Sequence, residues 1–305
     1  MPEKAELVVE GKKLAVSNLN KVLYPKVGFT KGQVIDYYIR IAPVLLPHLR
    51  DRPLTMKRYP NGVDAEFFYE KNCPSHRPKW VKTAKVWSEG NNRVMHYCLA
   101  QDLPTLVWAA NLADLELHTS LSRKDNDKRP TMMVFDLDPG APADIVQCCQ
   151  VGLWVRDLLG QMRLKSFPKT SGSKGLQVYV PLNTSVTYDE AKDLSGVLAQ
   201  HLEREDADLV TSNMSKAVRK GKVFVDWSQN DEHKTTICVY SLRAREEPTV
   251  STPVSWNEVE NCLKKKNADL LKFRFDQVLE RVEKLGDVFE AVERLKQKLP
   301  KKWKI

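Results

Sequence analysis

The sequence predicts an α/β fold of the mixed (α+β) kind, with β-sheets flanked by helices. Three observations carry this: short apolar runs recur along the chain, amphipathic segments with capping signals lie between them, and no segment is repeated. Strands and helices that alternate irregularly bury their apolar faces against one another in layers. At 305 residues the chain can enclose a substantial core as one large domain or two modest ones. With 42% hydrophobic and 29% charged residues it has the balance of an ordinary globular protein.

The elements follow in order. Thr30 and Gln33 form a capping-box pattern ahead of Val34, Tyr37, Tyr38, Ile41 and Leu45 at helical spacing. Pro43 and Pro47 are expected to bend or end that helix. Extended segments are predicted at Leu54–Arg58, Glu66–Lys71, Val81–Trp87 and Arg93–Tyr97, the last two joined by a hairpin loop at Ser88–Asn92. A helix starts near Pro104 and leads into a strand around Leu115–His118. Thr131–Leu137 reads as a buried strand and Ala143–Met162 as a helix. Ser166–Lys169 and Leu176–Val180 read as strands. Thr187 and Glu190 announce another helix, and Lys222–Trp227 and Thr235–Tyr240 read as neighbouring strands. From Trp256 onward the pattern is helical and mixed in charge.

Several classes are excluded. No run of about 18 apolar residues is present, so no membrane span is expected. The charged N-terminus has no apolar stretch behind it, which speaks against a secretory signal and for the cytoplasm. The six cysteines form no C-x-x-C pair, so a structural zinc site lacks its spacing, and reduced, partly buried thiols are expected. The net charge of +9 raises the local concentration of polyanions around the protein. Its basic residues cluster at Lys12–Lys31, at Lys57 and Arg58, at Lys216, Arg219, Lys220 and Lys222, and from Lys296 to Lys304.

The chemistry is sharpest in Met133-Val134-Phe135-Asp136-Leu137-Asp138-Pro139-Gly140. Residues i and i+2 of a strand share a face about 7 Å apart, so Asp136 and Asp138 present two carboxylates together at the end of an apolar strand. Their repulsion calls for a cation, and magnesium or manganese suits oxygen ligands. Asp226 ends a second apolar strand. Three carboxylates from two strands can hold two metals about 3.5–4 Å apart, the arrangement used in phosphoryl transfer. An isolated D-x-D is otherwise a turn with solvated acids. A phosphatase of the haloacid dehalogenase type is disfavoured by Gly140, where such enzymes have Thr or Val. Thr170-Ser171-Gly172-Ser173-Lys174-Gly175 offers small residues, hydroxyls and one charge to a phosphate, without being a Walker A loop. Tyr59, Phe67, Phe68 and Tyr69 lie beside Lys57, Arg58 and Lys71, a mixture able to stack unpaired bases. In an extended segment Phe67 and Phe68 point to opposite faces, so one of them is expected in the core.

Taken together, these segments resemble the polymerase domain of bacterial and archaeal ligase D, a branch of the archaeo-eukaryotic primase superfamily serving non-homologous end joining. The resemblance runs from about Val16 to about Glu293. It rests on Asn20–Pro25, Arg52-Pro53, Lys57–Val63, Phe68–Lys71, the Val134–Gly140 and Thr170–Leu176 segments, Val223–Asn230 and Tyr240–Arg243. It implies a single primase-polymerase catalytic module over 1–305. Within it, about 1–130 would contact DNA ends and template, about 131–255 metals and nucleotide, and about 256–305 would form a helical tail. It implies that Asp136, Asp138 and Asp226 hold two divalent metals (Mn2+ or Mg2+). Lys57, His118, Ser171, Lys174, Gln177, Gln229 and Arg243 are then the nucleotide contacts, with NTPs or dNTPs as substrates and ribonucleotides favoured. Lys21 and Lys31 would grip a 5′-phosphate, Phe67 and Phe68 would work beside the template base, and Arg58, Lys216, Arg219 and Lys220 would join the DNA-binding surface. Ser88–Asn92 and Thr211–Lys222 correspond to two mobile loops that handle ends.

The sequence departs from the family at one central position, where Gln177 replaces the usual His. A lost charge-assisted bond weakens triphosphate binding by roughly 1–2 kcal/mol if that His was cationic. No residues remain for a fused ligase or nuclease, so the chain is either a stand-alone member or an excised module. A stand-alone member would need a DNA ligase and a Ku-like end-binding protein in trans, on double-stranded DNA ends with 5′-phosphates near the nucleoid. Two alternatives stand beside extension of DNA ends: a primase starting strands de novo, and a non-catalytic module that bridges ends.

Overall fold

The computed structural model describes residues 4–88, 90 and 92–300. Along the chain the elements are β1 (Lys4–Val9), β2 (Lys12–Ser17), β3 (Val22–Tyr24), β4 (Phe29–Thr30), α1 (Lys31–Leu49), β5 (Leu54–Arg58), β6 (Phe68–Glu70), β7 (Lys82–Ser88), β8 (Arg93–Leu99), α2 (Leu103–Asn111), β9 (Asp114–Thr119) and β10 (Ser122–Arg123). There follow β11 (Asn126–Pro130), β12 (Met132–Pro139), α3 (Ile145–Gln161), β13 (Phe167–Thr170), β14 (Leu176–Pro181), α4 (Tyr188–Glu205), β15 (Val210–Thr211) and β16 (Val223–Asp226). The last are β17 (Thr236–Ile237), β18 (Leu242–Ala244), β19 (Pro248–Val250), α5 (Trp256–Lys265), α6 (Phe275–Leu285) and α7 (Ala291–Arg294). The α/β class is as the sequence predicts. No helix among the described residues is long and apolar enough to cross a membrane.

Two compact units share these elements. The first takes residues 1–125, 235–250 and 274–286, and the second takes 126–234, 251–273 and 287–305. In the first unit a six-stranded sheet runs β17-β9-β5-β8-β7, with β6 paired to β5. Helix α1 begins at the expected capping box, Thr30 accepting from the Gln33 N–H and the Gln33 side chain accepting from the Thr30 N–H. It runs through both prolines to Leu49 instead of stopping at them. Pro43 and Pro47 are four residues apart and both exposed, so the lost hydrogen bonds face solvent while Ile41, Leu45 and Leu49 stay buried. Tyr37 and Tyr38 donate their hydroxyls to the carbonyls of Tyr240 and Leu115, fixing α1 to the turn before β18 and to β9, the strand that carries His118.

In the second unit a five-stranded sheet runs β13-β14-β12-β16-β15. Met133, Phe135 and Leu137 of β12, Leu176, Val178 and Val180 of β14, and Val223 and Val225 of β16 enter one core with residues of α3, α4 and α5. By the alternation of a strand, Asp136, Asp138, Gln177 and Asp226 lie on the other face of the sheet.

Three further expectations are corrected, and a fourth lies partly outside the described residues. Thr235–Tyr240 is not a neighbour of Lys222–Trp227: β17 pairs with β9 in the first unit, and β16 with β12 and β15 in the second. Neither Phe67 nor Phe68 is core, their exposures being 48% and 43%. Cys73 and Cys98 are not free thiols but form a disulfide, the Cys73 N–H donating to His96 O and laying its loop along β8. The other four cysteines are buried and free. Lastly, Ser88 and Arg93 pair in antiparallel register as a hairpin requires, but Glu89 and Asn91 of the expected mobile loop lie outside the described residues.

Candidate active site

In the second unit, strand pairing sets the acids side by side. Asp136 stands opposite Gln177 of β14 on one side and opposite Asp226 of β16 on the other, while Asp138 stands opposite Phe224. Burial pushes the Asp136 carboxyl up from its ordinary range, and the charges of Asp138 and Asp226 push it further, while Gln177 and the buried Lys169 act the other way. Its Oδ1 is buried with no hydrogen-bond partner. Asp226 turns its Oδ1 to the N–H of Ser228 at 3.0 Å and to the Ser228 hydroxyl at 2.5 Å, capping the 3-10 turn Trp227–Gln229. Lys234 Nζ stands 4.0 Å from the same oxygen and donates to the Ser228 hydroxyl.

Among the described residues no group of three His, Cys, Asp or Glu side chains is arranged to hold a metal as it stands. The donor chemistry nevertheless fits a hard divalent cation: carboxylates side by side across two paired strands, one with an orphaned buried oxygen. Gln177 is 2% exposed and lowers the Asp136 carboxyl through a hydrogen bond, so its first partner is a carboxylate of the acidic cluster.

The Thr170–Gly175 loop lies against the end of β12, since a Cβ on Gly175 would come within 2.2 Å of Leu137 O. Ser171 closes it, its hydroxyl accepting from the N–H groups of Ser173 at 3.2 Å and Gly175 at 3.1 Å. Those two backbone donors are therefore engaged inside the loop. Lys174 is exposed at its tip, and Gln229 is half-buried one residue beyond Ser228. The Thr211–Lys222 segment is tied to the other side of β12: Gly140 donates to Lys222 O and accepts from Gly221 N–H. Arg219 donates to Met214 O and lies 3.6 Å from the centre of the Phe224 ring, while Lys216 and Lys220 are exposed.

In the first unit the expected contacts Lys57, His118 and Arg243 gather around a residue the sequence did not single out. Glu116, on β9, is 2% exposed; Lys57 Nζ stands 3.3 Å, His118 Nε2 3.0 Å and Arg243 Nε 3.3 Å from its carboxylate oxygens. The only signal for it was position, two residues before His118 on the same strand face. Burial would raise the Glu116 carboxyl, but the hydrogen bond from His118 and the charges of Arg243, His118 and Lys57 hold it well below the usual carboxylate range. Lys57 is further surrounded by aromatic rings, Phe67 at 4.3 Å, Tyr59 at 5.3 Å and Tyr69 at 5.5 Å.

Lys21, Lys31 and Arg58 form a second basic group in this unit. Lys21 donates to Asn61 at 2.9 Å, and Lys31, the first residue of α1, to Ser17 O at 2.7 Å. Burial, then the charges of Lys21 and Arg58, lower the Lys31 amine to about 8. Arg58 pairs with Glu70 at 2.6 Å and stacks 5.0 Å from Phe68.

An α/β fold with paired carboxylates on one sheet and cationic groups on another suits a protein that handles polyanions. Residues 30–289 match the family model described as the LigD primase-polymerase domain, and the chain belongs to that family. It is 41% identical over 283 residues to the multifunctional non-homologous end joining protein LigD of Mycolicibacterium smegmatis, covering 92% of this chain and 36% of that protein. It is 33% identical over 278 residues to the bifunctional LigD of Bacillus subtilis, covering 91% of this chain and 44% of that protein. The chain thus spans less than half the length of these relatives. Among solved structures it matches the polymerase domain of Mycobacterium tuberculosis ligase D in complex with DNA, with a TM-score of 0.85 at 41% identity, covering 92% of this chain and 98% of that one.

Proposed function

We propose that the chain is a two-metal nucleotidyltransferase that extends DNA 3′ ends at gaps, overhangs and double-strand breaks in non-homologous end joining, with ribonucleotides preferred. The observation that carries this is the direct pairing of Asp136 with Asp226, with Asp138 on the same strand face and a buried Asp136 oxygen lacking a partner. Asp136, Asp138 and Asp226 are the residues that hold magnesium or manganese. Those ions, when bound, activate the primer hydroxyl and stabilise the leaving pyrophosphate.

The chain's own groups bind and orient. Lys174 and the Ser171 loop meet the triphosphate, with Gln229 nearby, while Lys57, His118 and Arg243 supply cationic contacts that offset charge developing in transfer. Lys21 and Lys31 grip a 5′-phosphate with Arg58 beside them, and the exposed rings of Phe67 and Phe68 stack on template bases. Lys216, Arg219 and Lys220 extend the DNA contact. Support comes from family membership and from the neighbour's complex with DNA. A DNA ligase activity and a Ku-like protein would complete the repair. The test is extension of a 5′-phosphorylated gapped DNA with each NTP and dNTP in manganese or magnesium. Ribonucleotide addition that disappears in Asp136→Ala is expected; DNA binding without addition under every condition would overturn the proposal.

A further inference from the structure

Glu116 has no place in phosphate binding by charge, since a carboxylate repels a triphosphate, yet it stands at the centre of the cationic group. Its oxygens receive Lys57 at 3.3 Å, His118 at 3.0 Å, Arg243 at 3.3 Å and the Ala244 N–H at 3.1 Å. These donors arrive from separate elements, β5, β9 and β18, so a single buried acceptor fixes the mutual placement of three long side chains. Held this way, they lose less rotamer freedom when a polyanion arrives.

The contact also fixes the chemistry of His118. A carboxylate only accepts, so the ring must donate its Nε2 proton to Glu116. A neutral ring then has a bare Nδ1, which can accept a hydrogen bond but cannot donate one to phosphate. We infer that Glu116 is a positioning residue for the incoming nucleotide: it arrays Lys57, His118 and Arg243, and it makes His118 take up a proton at Nδ1 when a polyphosphate binds. This rests on the nucleotide-binding role given above to those three side chains.

The groups facing His118 are Glu116 on its own strand, Lys57 on β5, Arg243 on β18 and the Tyr69 ring on β6 at 5.9 Å. Burial lowers the imidazole from its ordinary value and Glu116 raises it, with Arg243 and Lys57 opposing. The free protein near neutral pH therefore holds a largely neutral ring, and only the added negative charge of a polyphosphate tips it.

The experiment is calorimetric titration of ATP into the full chain at pH 7.5, in buffers of different ionisation enthalpy, which reads affinity and proton uptake without turnover. Wild type is expected to take up a fraction of a proton per ATP. In Glu116→Gln the uptake should vanish and Kd rise by about tenfold, the scale of one charge-assisted hydrogen bond. Glu116→Asp should restore part of the uptake. A merely structural role would lower melting temperature without altering uptake. Unchanged Kd and uptake in Glu116→Gln, in a folded protein, would overturn this inference while wild-type extension of DNA left the proposed function standing. Failure of wild type to bind ATP at all would sink both.

Discussion

The two charged clusters solve opposite problems. In the first unit one buried carboxylate, Glu116, is surrounded by Lys57, Arg243 and the His118 imidazole within 3.3 Å. In the second, Asp136 is surrounded by carboxylates and keeps a buried oxygen unpartnered. Compensation is built into the protein in one place and left to a ligand in the other. Charges that are matched internally can be held rigid before anything binds, whereas unmatched ones store repulsion that an arriving cation relieves.

The largest test of that contrast is Asp136→Asn. Extension should fall by at least about 10²–10³-fold, the scale of losing a centre of transition-state stabilisation. The metal-free variant should nonetheless melt at a higher temperature than wild type. Because the fold raises the Asp136 carboxyl, the native state holds a proton that the unfolded chain has already released above the ordinary carboxylate range. Stability lost to this group therefore grows as pH rises, and the gain from Asn should be greater at pH 8 than at pH 5. Equal or lower melting temperatures at both would mean the carboxylates are compensated inside the protein after all.

Next in size is Gly140→Ala. The added methyl would lie 1.9 Å from Arg219 O, a backbone atom, so the segment tied to β12 must shift. Overpacking of this kind costs about 1–3 kcal/mol, readable as a lower denaturation midpoint. An unchanged midpoint would show that the segment yields freely.

Lys31→Met probes the basic group of the first unit. Preference for 5′-phosphorylated over 5′-hydroxyl DNA should fall by about tenfold, as for one charge-assisted contact. With the amine lowered to about 8, wild type should lose this preference as pH rises through that value and the charge is shed. The variant should show a flat profile, and a wild-type preference constant from pH 7 to 9 would remove Lys31 from phosphate binding.

The smallest effect is expected from Gln177→His, whose side chain points to Asp136 first. A modest fall in the KM for ribonucleotides, less than about tenfold, would accord with a charged contact regained. No improvement would leave Gln177 as a partner of the acidic cluster alone.

What the sequence made legible was local. Alternation placed Asp136 and Asp138 on one face, and side-chain caps marked the starts of α1 and α4 at Thr30 and Thr187. That Asp226 would join the acids of β12 was also within reach, because Val223–Asp226 ends in an acid and β12 carries Asp138 just before its last residue. Choices made at long range were not legible. Nothing within Thr235–Tyr240 says that its partner is β9, more than a hundred residues earlier, and not the adjacent β16. Cys73 and Cys98 are 25 residues apart with no motif between them. Glu116 was hidden for a related reason: in Asp114–Thr119 its role comes from Lys57 and Arg243, which only tertiary structure brings to it. The continuation of α1 through two prolines required knowing which side of the helix meets water.

The order in which the chain visits its two units has a consequence for synthesis. Residues 235–250 return to the first unit, and 274–286 return again, so that unit lacks a strand of its main sheet and a packed helix until those segments have been made. Domains emerging from the ribosome generally fold when their last segment is available. Here neither unit is contiguous, and both wait on segments from Arg274 onward. A nascent chain stalled before Arg274 should remain open to protease throughout, and protection of either unit at that stage would show that its early segments fold without the late ones.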